Sequence, residues 1–273
     1  MSAGRYSGGL QAAIFDWAGT TVDFGCLAPV QAFLAVFKSR GLTITAAQAR
    51  LPMGLHKRDH IRAITRMQEV ASDWQRRFGR PCSETDIDAL YHDFVPAQLG
   101  CLAEHTALIP GALELVTELR RRGLRIGSTT GYAAEMMAVV EPAARALGYA
   151  PDCVVCASDV PVGRPAPFMC FANAESLRVY PMAAVVKIGD TIADVEEGLN
   201  AGAWTIALTA CGNEVGLSER ELAELPAAER SARIAAARAR LAAAGAHYVV
   251  DFPTDCLPVI DEIQGRLRSG ERP

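Results

Sequence analysis

Three aspartates in this chain stand where strand ends would present them to a ligand. Asp16 follows the apolar run Leu10–Phe15 and opens Asp16-Trp17-Ala18-Gly19-Thr20-Thr21. Asp190 and Asp194 lie four residues apart in Lys187-Ile188-Gly189-Asp190-Thr191-Ile192-Ala193-Asp194. If the fold brings these strand ends together, three carboxylates converge, and alone they would repel and partly protonate. A bound Mg²⁺ resolves the conflict, because it takes oxygen ligands in octahedral geometry. It also suits a phosphoryl substrate. Singly each signal is weak, since Asp is common in caps and turns; Asp194 alone also reads as a first-turn helix charge.

A second kind of chemistry is offered by Lys57, within Leu51-Pro52-Met53-Gly54-Leu55-His56-Lys57-Arg58-Asp59-His60-Ile61. As a helix, this segment puts Met53, Lys57 and His60 on one face. A lysine amine is protonated at neutral pH and is then no nucleophile. Burial against Met53, with positive charge from Arg58 or bound Mg²⁺, would lower its pKa. His60 could then relay a proton. The plainer reading is a solvated lysine on an amphipathic helix. His56 and His60 also have the spacing of a metal pair, but no further ligand stands at suitable spacing.

These residues need a scaffold. Short apolar runs recur at Leu10–Phe15, Leu124–Thr129, Cys153–Ala157, Ala184–Ile188, Trp204–Leu208 and His247–Val250. Helical patterns lie between them at Ala112–Arg122, Ala133–Leu147, Ala166–Leu177 and Ser218–Ala244. Alternating strands and helices predict an α/β fold, a doubly wound parallel sheet whose ligands bind beyond the carboxyl ends of the strands. The stretch from Gly25 to Ala103 is far longer than a crossover needs and reads as helices. It is expected to be an inserted helical domain, residues 25–103, on a core formed by 1–24 and 104–273.

Composition narrows the classes. The chain has 273 residues, is 50% apolar and carries a net charge of −4, with its charges dispersed. That supports a substantial core and argues against a nucleic-acid groove. No apolar run reaches the roughly 20 residues that span a bilayer. Met1–Leu10 does not read as a secretory signal, so a soluble cytoplasmic protein is expected. Of the 8 cysteines, Cys153 and Cys156 form a C-x-x-C. On a strand the two point to opposite faces, so they read as core thiols rather than a zinc or redox pair.

The joint order is more specific than its parts. Asp at the first strand end, hydroxyls at the second, a basic residue, then Gly-Asp-x-x-x-Asp resembles the haloacid dehalogenase superfamily over nearly the whole chain. Thr130 matches that pattern's phosphate-binding hydroxyl and Arg164 its basic residue. A phosphoryl transition state needs such cations and donors. The chain departs from the superfamily's phosphatases at Ala18. They carry a second Asp there to protonate the leaving alcohol, and alanine cannot act as an acid. A carbon leaving group would explain the gap, because it needs an electron sink instead, and a lysine imine supplies one.

With Cys26, the Pro52-Met53-Gly54 run, Lys57, His60, Thr130-Gly131-Tyr132 and Gly163-Arg164-Pro165, the chain resembles the phosphonoacetaldehyde hydrolase (phosphonatase) family. That resemblance implies a helical cap, a Schiff base on Lys57, an aspartyl phosphate on Asp16 and Mg²⁺. It further implies a homodimer joined partly through the caps and a role in phosphonate catabolism. The metal would be held by Asp16, the Ala18 carbonyl, Asp190 and Asp194. Thr130, Arg164, Met53, Gly131, Tyr132 and Cys26 would line the substrate site, although Cys26 reads equally well as a packing residue. Two other readings stand beside it: a phosphate-ester phosphatase or phosphomutase of the same superfamily, and a non-catalytic binding protein on that scaffold.

Overall fold

A computed structural model describes Tyr6 and residues 8–273; of the N-terminal stretch read above, residues 1–5 and 7 lie outside the described residues. Six strands form one parallel sheet: β1 (Ala12–Phe15), β2 (Arg125–Thr130), β3 (Cys153–Cys156), β4 (Val185–Gly189), β5 (Trp204–Leu208) and β6 (Tyr248–Val250). Their spatial order is β3-β2-β1-β4-β5-β6. β1, β4 and β5 are buried along their whole length. This is the apolar signature of strands covered on both faces.

The order reverses between β1 and β4. From β1 the chain winds outward one way through β2 and β3, and the later strands run the other way. The crevice at such a switch point is where doubly wound sheets bind ligands. Phe15 pairs with Ile188, and the Asp16 amide donates to the Ile188 carbonyl at 2.9 Å. The ends of β1 and β4 are thereby locked side by side, and with them Asp16 and the turn that carries Asp190.

Five helices are inserted between β1 and β2: α1 (Leu27–Ser39), α2 (Ala46–Arg50), α3 (Lys57–Thr65), α4 (Gln68–Phe78) and α5 (Glu84–Leu102). Capping boxes start two of them, Thr45 with Gln48 and Ser83 with Asp86; each satisfies amides that a helix start leaves unpaired. Phe33, Phe37, Ile61, Ile64, Trp74 and Phe94 fill their interior. The chain enters and leaves the insert at one place. Val22 bridges Leu108 antiparallel, the Asp23 amide donates to Ala107 O at 3.2 Å, and the Ile109 amide donates to Thr21 O at 2.9 Å. The Asp23 carboxylate takes the Leu27 and Ala28 amides at 3.0 Å and faces His105 Nδ1 at 3.1 Å.

Between the insert and β2 lies α6 (Ala112–Arg121), and beyond β2 the helices are α7 (Ala134–Ala146), α8 (Phe168–Ser176), α9 (Ile192–Ala201), α10 (Glu219–Glu224), α11 (Ala227–Ala243) and α12 (Cys256–Arg268). Three sequence expectations need correction. The helix expected over Ser218–Ala244 is two, because Pro226 holds Leu225 extended between α10 and α11. The last helix, α12, was not anticipated. Met53 does not share a helix with Lys57 and His60: Gly54 turns at φ 92°, and α3 begins only at Lys57. All the cysteines are free, Cys153 and Cys156 included. Among the described residues, no helix is long and apolar enough to cross a membrane.

Candidate active site

The three aspartates meet. One carboxylate oxygen each from Asp16, Asp190 and Asp194 lie within 4.8 Å of one another, and all three residues are buried. Local folding explains the placement. Thr191 and Asp194 form the capping box of α9, which turns Asp194 back toward the strand end. Asp190 is held at both oxygens, by Thr20 Oγ1 at 2.8 Å and the Asn213 amide at 2.7 Å. A Cβ on Gly19 would come within 2.2 Å of Asp190 Oδ2, so this turn admits only glycine.

A second buried layer supports the first. Arg164 Nη2 reaches Asp16 Oδ1 at 2.7 Å and Asp194 Oδ1 at 3.0 Å, while its Nε bonds Glu197 Oε2 at 2.9 Å. Lys187 Nζ lies 2.5 Å from Asp194 Oδ1. Two cations therefore face four carboxylates: Arg164 and Lys187 against Asp16, Asp190, Asp194 and Glu197. Fully ionised, the cluster carries an excess of two negative charges.

Burial and the neighbouring charges shift all three carboxyls. Burial, then the charges of Asp16 and Asp194, push the Asp190 carboxyl well above the usual range. Burial raises Asp16 despite Arg164 beside it. At Asp194 burial is outweighed by Arg164 and Lys187, and the carboxyl falls below its ordinary value. An all-oxygen donor set with uncompensated negative charge fits a small hard dication such as Mg²⁺.

Above this cluster the insert closes the crevice. Asp16, Ala18, Cys26, Met53, Gly54, Lys57, Thr130, Gly131, Tyr132, Arg164 and Thr191 together line a cavity of about 10 Å³. That is room for about one water molecule. Two glycines permit the close approach of the 51–55 loop. A Cβ on Gly54 would lie 2.5 Å from Thr191 Oγ1, and one on Gly131 would lie 2.6 Å from the Leu55 carbonyl.

Lys57 is the insert's contribution. It is 3% exposed, with Nζ 5.1 Å from the centre of the Tyr132 ring and 5.9 Å from that of Phe33. No carboxylate among the described residues pairs with it. Burial brings its pKa down to about 8, against the partial support of Cys26 and Asp16. An amine in that range is neutral often enough to attack a carbonyl.

The remaining candidates divide. Thr130 Oγ1 accepts from the Tyr132 amide at 3.0 Å and faces the cavity. Arg164 Nη1 and the Tyr132 hydroxyl are buried without partners, as groups awaiting a polar ligand would be. Cys26 sits in the left-handed region at φ 51°, and burial with nearby Asp190 and Asp23 pushes its thiol well up. It is no thiolate nucleophile. The relay expected of His60 is not carried by this geometry. Its ring lies outside the cavity lining, stacked 4.0 Å from Phe33, and Nε2 bonds the Ala49 carbonyl at 2.8 Å. Burial, then Lys57, lowers its pKa well below the ordinary value, so it is a poor base here.

Sequence reasoning missed Lys187, Glu197, Thr20 and Asn213. A lysine inside the apolar strand Val185-Val186-Lys187-Ile188 was a readable signal, as was Glu197 one helical turn beyond Asp194. Asn213 had none, because it acts through its backbone amide.

A parallel sheet with converging strand-end aspartates and a helical insert after the first strand is the architecture of a phosphoryl-handling hydrolase. Residues 10–202 match the family model for haloacid dehalogenase-like hydrolases, and the chain belongs to that family. Within it, the chain is a member of the phosphonoacetaldehyde hydrolases. It is 49% identical over 268 residues to the phosphonoacetaldehyde hydrolase of Syntrophobacter fumaroxidans, covering 98% of this chain and 97% of that one. With the same enzyme of Bacillus cytotoxicus the identity is 46% over 255 residues, covering 93% and 97%. The crystal structure of a phosphonoacetaldehyde hydrolase-like protein from Oleispira antarctica superposes with a TM-score of 0.97 at 41% identity, covering 100% and 99%.

Proposed function

We propose that this enzyme hydrolyses the carbon–phosphorus bond of phosphonoacetaldehyde, giving acetaldehyde and phosphate. One observation carries the reading. A buried lysine with pKa about 8 shares a closed cavity with Asp16, and Ala18 stands where a leaving-group acid would be needed for an ester. The relatives' names point to the same substrate.

In this reading Lys57 Nζ attacks the aldehyde carbon and water departs, leaving a protonated imine. Asp16 attacks phosphorus in line. The carbon–phosphorus bonding pair becomes the carbon–carbon double bond of an enamine, and the imine π pair returns to nitrogen. Protonation at carbon and hydrolysis release acetaldehyde and regenerate Lys57; water then cleaves the aspartyl phosphate. Thr130 and Arg164 hold the phosphoryl oxygens, and Arg164 brings its unpartnered Nη1 to them. Met53, Gly131, Tyr132 and Cys26 wall the carbon end of the substrate and keep water from the imine. Asp16, Asp190 and the Ala18 carbonyl would hold Mg²⁺, with Asp194 fixing the shell, and the ion would supply the charge that lets a carboxylate approach a phosphonate dianion.

Residues 25–103 act as a cap that opens to admit substrate, since the closed cavity is far too small for it to enter or leave. Association of two caps into a homodimer follows from the family resemblance and is checked by light scattering. Cytoplasmic residence suits a chain whose thiols are all unpaired.

Borohydride trapping with phosphonoacetaldehyde tests the assignment. The expected result is a reduced adduct mapped to Lys57, with Mg²⁺-dependent release of acetaldehyde and phosphate. No adduct, together with phosphate release from simple esters, would move the function to an unusual phosphatase.

A further inference from the structure

The cap must open, so whatever holds it shut governs the site. Away from the two chain crossings, around Asp23–Ala28 and Ala103–Thr106, every hydrogen bond between the cap and the core among the described residues involves one cap residue, Arg50 at the end of α2. Its Nη1 donates to Asn213 Oδ1 at 3.2 Å and its Nη2 to the Gly216 carbonyl at 2.9 Å. Asn213 Nδ2 returns a bond to the Arg50 carbonyl at 3.3 Å. Nη1 also ties the hinge itself, donating to the Gly25 carbonyl at 2.7 Å.

The socket is shaped for this side chain. Gly216 turns at φ +69°, and a Cβ there would lie 2.6 Å from Arg50 Nε. Charge-assisted bonds to oriented carbonyls in a half-buried socket are among the stronger protein hydrogen bonds. Arg50 also stands at a mechanical junction. The 51–55 loop that seals the cavity begins at the next residue, and Lys57 follows that loop. On the core side, the Asn213 amide holds Asp190 Oδ2 at 2.7 Å.

We propose that Arg50 is a positioning residue, a latch that fixes the closed cap so that Lys57 faces Asp16, with Asn213 and Gly216 as its socket. It touches no reacting atom; it sets how much of the enzyme is closed and how the loop bearing Met53 and Gly54 is seated. The catalytic meaning rests on the carbon–phosphorus reading, but the latch itself does not.

Cys26 reports the latch without substrate. It is 2% exposed at the hinge, in the lining of the cavity that the 51–55 loop seals, whereas Cys211 and Cys256, each 0% exposed, lie in the core. Alkylation by iodoacetamide, read by peptide mass mapping on the full chain, should be slow at Cys26 in the native protein. In Arg50→Met it should rise about tenfold or more, the effect of losing one to two charge-assisted bonds, while Cys211 and Cys256 stay unreactive. Arg50→Lys should restore part of the protection. With phosphonoacetaldehyde, Arg50→Met should lower kcat more than it raises KM. An unchanged Cys26 rate in Arg50→Met would overturn the proposal, as would fast labelling of Cys26 in the native protein. If all three thiols accelerate together, the fold has loosened. Asn213→Ala, which removes only two of the bonds, then decides: Cys26 protection must fall alone, and no change overturns the latch. Failure of borohydride trapping with an intact Cys26 response would sink the imine chemistry and leave the latch standing.

Discussion

Arg164 Nη2 lies 2.7 Å from Asp16 Oδ1, so the guanidinium expected to bind phosphate rests on the proposed nucleophile. A phosphonate entering the site would compete for that guanidinium and release Asp16 to attack. Glu197 on Nε and the Thr129 hydroxyl on Nη2 keep the planar group from following the ligand. Arg164→Lys keeps the charge but loses the fork. It should lower kcat/KM by about 10²–10³ while far-ultraviolet circular dichroism stays native. A loss of less than about fivefold would show that the fork is not used.

Lys57→Arg retains a cation that cannot form an imine at neutral pH. Turnover should vanish and no borohydride adduct should form anywhere in the chain. Inorganic phosphate should still bind, by calorimetry, because its ligands lie in the core. More than a few per cent of native activity would exclude the covalent role of Lys57.

The pH profile follows from the same amine. With its pKa at about 8, Lys57 is mostly protonated at pH 6, and kcat/KM should climb about tenfold per unit until it levels near pH 8. A profile that is flat between pH 6 and 8 would contradict attack by a free amine in the rate-determining range.

Ala18→Asp installs the acid that the phosphatase pattern carries, but in a cavity of about 10 Å³ and beside three carboxylates. Carbon–phosphorus cleavage should fall at least about a hundredfold through crowding and like-charge repulsion. Equal rates in mutant and native protein would mean that Ala18 has no part in selecting this chemistry.

His105 pairs with Asp23 across the two chain crossings at the hinge, and the hydrogen bond to that carboxylate raises its pKa. The pair is complete only while the imidazole keeps its proton. Its contribution is full below the unfolded value of about 6.5 and is lost as pH rises through the higher folded value. His105→Gln should therefore cost about 0.5–1 kcal/mol at pH 6 and almost nothing at pH 9, by urea denaturation. A cost independent of pH would mean that the contact is steric.

The strands were legible because each is a short apolar run between breakers: Trp204–Leu208 is observed as read, and the others shift by at most two residues. Asp16, Asp190 and Asp194 were legible because strand ends in a parallel sheet share one edge. What sequence could not show was depth. Period alone placed Met53, Lys57 and His60 on one helix face, but Gly54 breaks the helix and Phe33 takes the His60 ring. Arg50 and Asn213 were invisible for another reason: they meet from distant parts of the chain, and most of their bonds use a backbone amide or carbonyl, which no side-chain pattern records.

The antiparallel ribbon Thr21–Asp23 against Ala107–Ile109 makes the insert's two ends neighbours. For the sheet, everything from Gly25 to Ala103 is a loop closed at its base, and lengthening such a loop costs the surrounding fold only logarithmically. The insert is thus an exchangeable cartridge. Another set of helices spliced at the same neck would keep the aspartate edge and bring a different reagent to it.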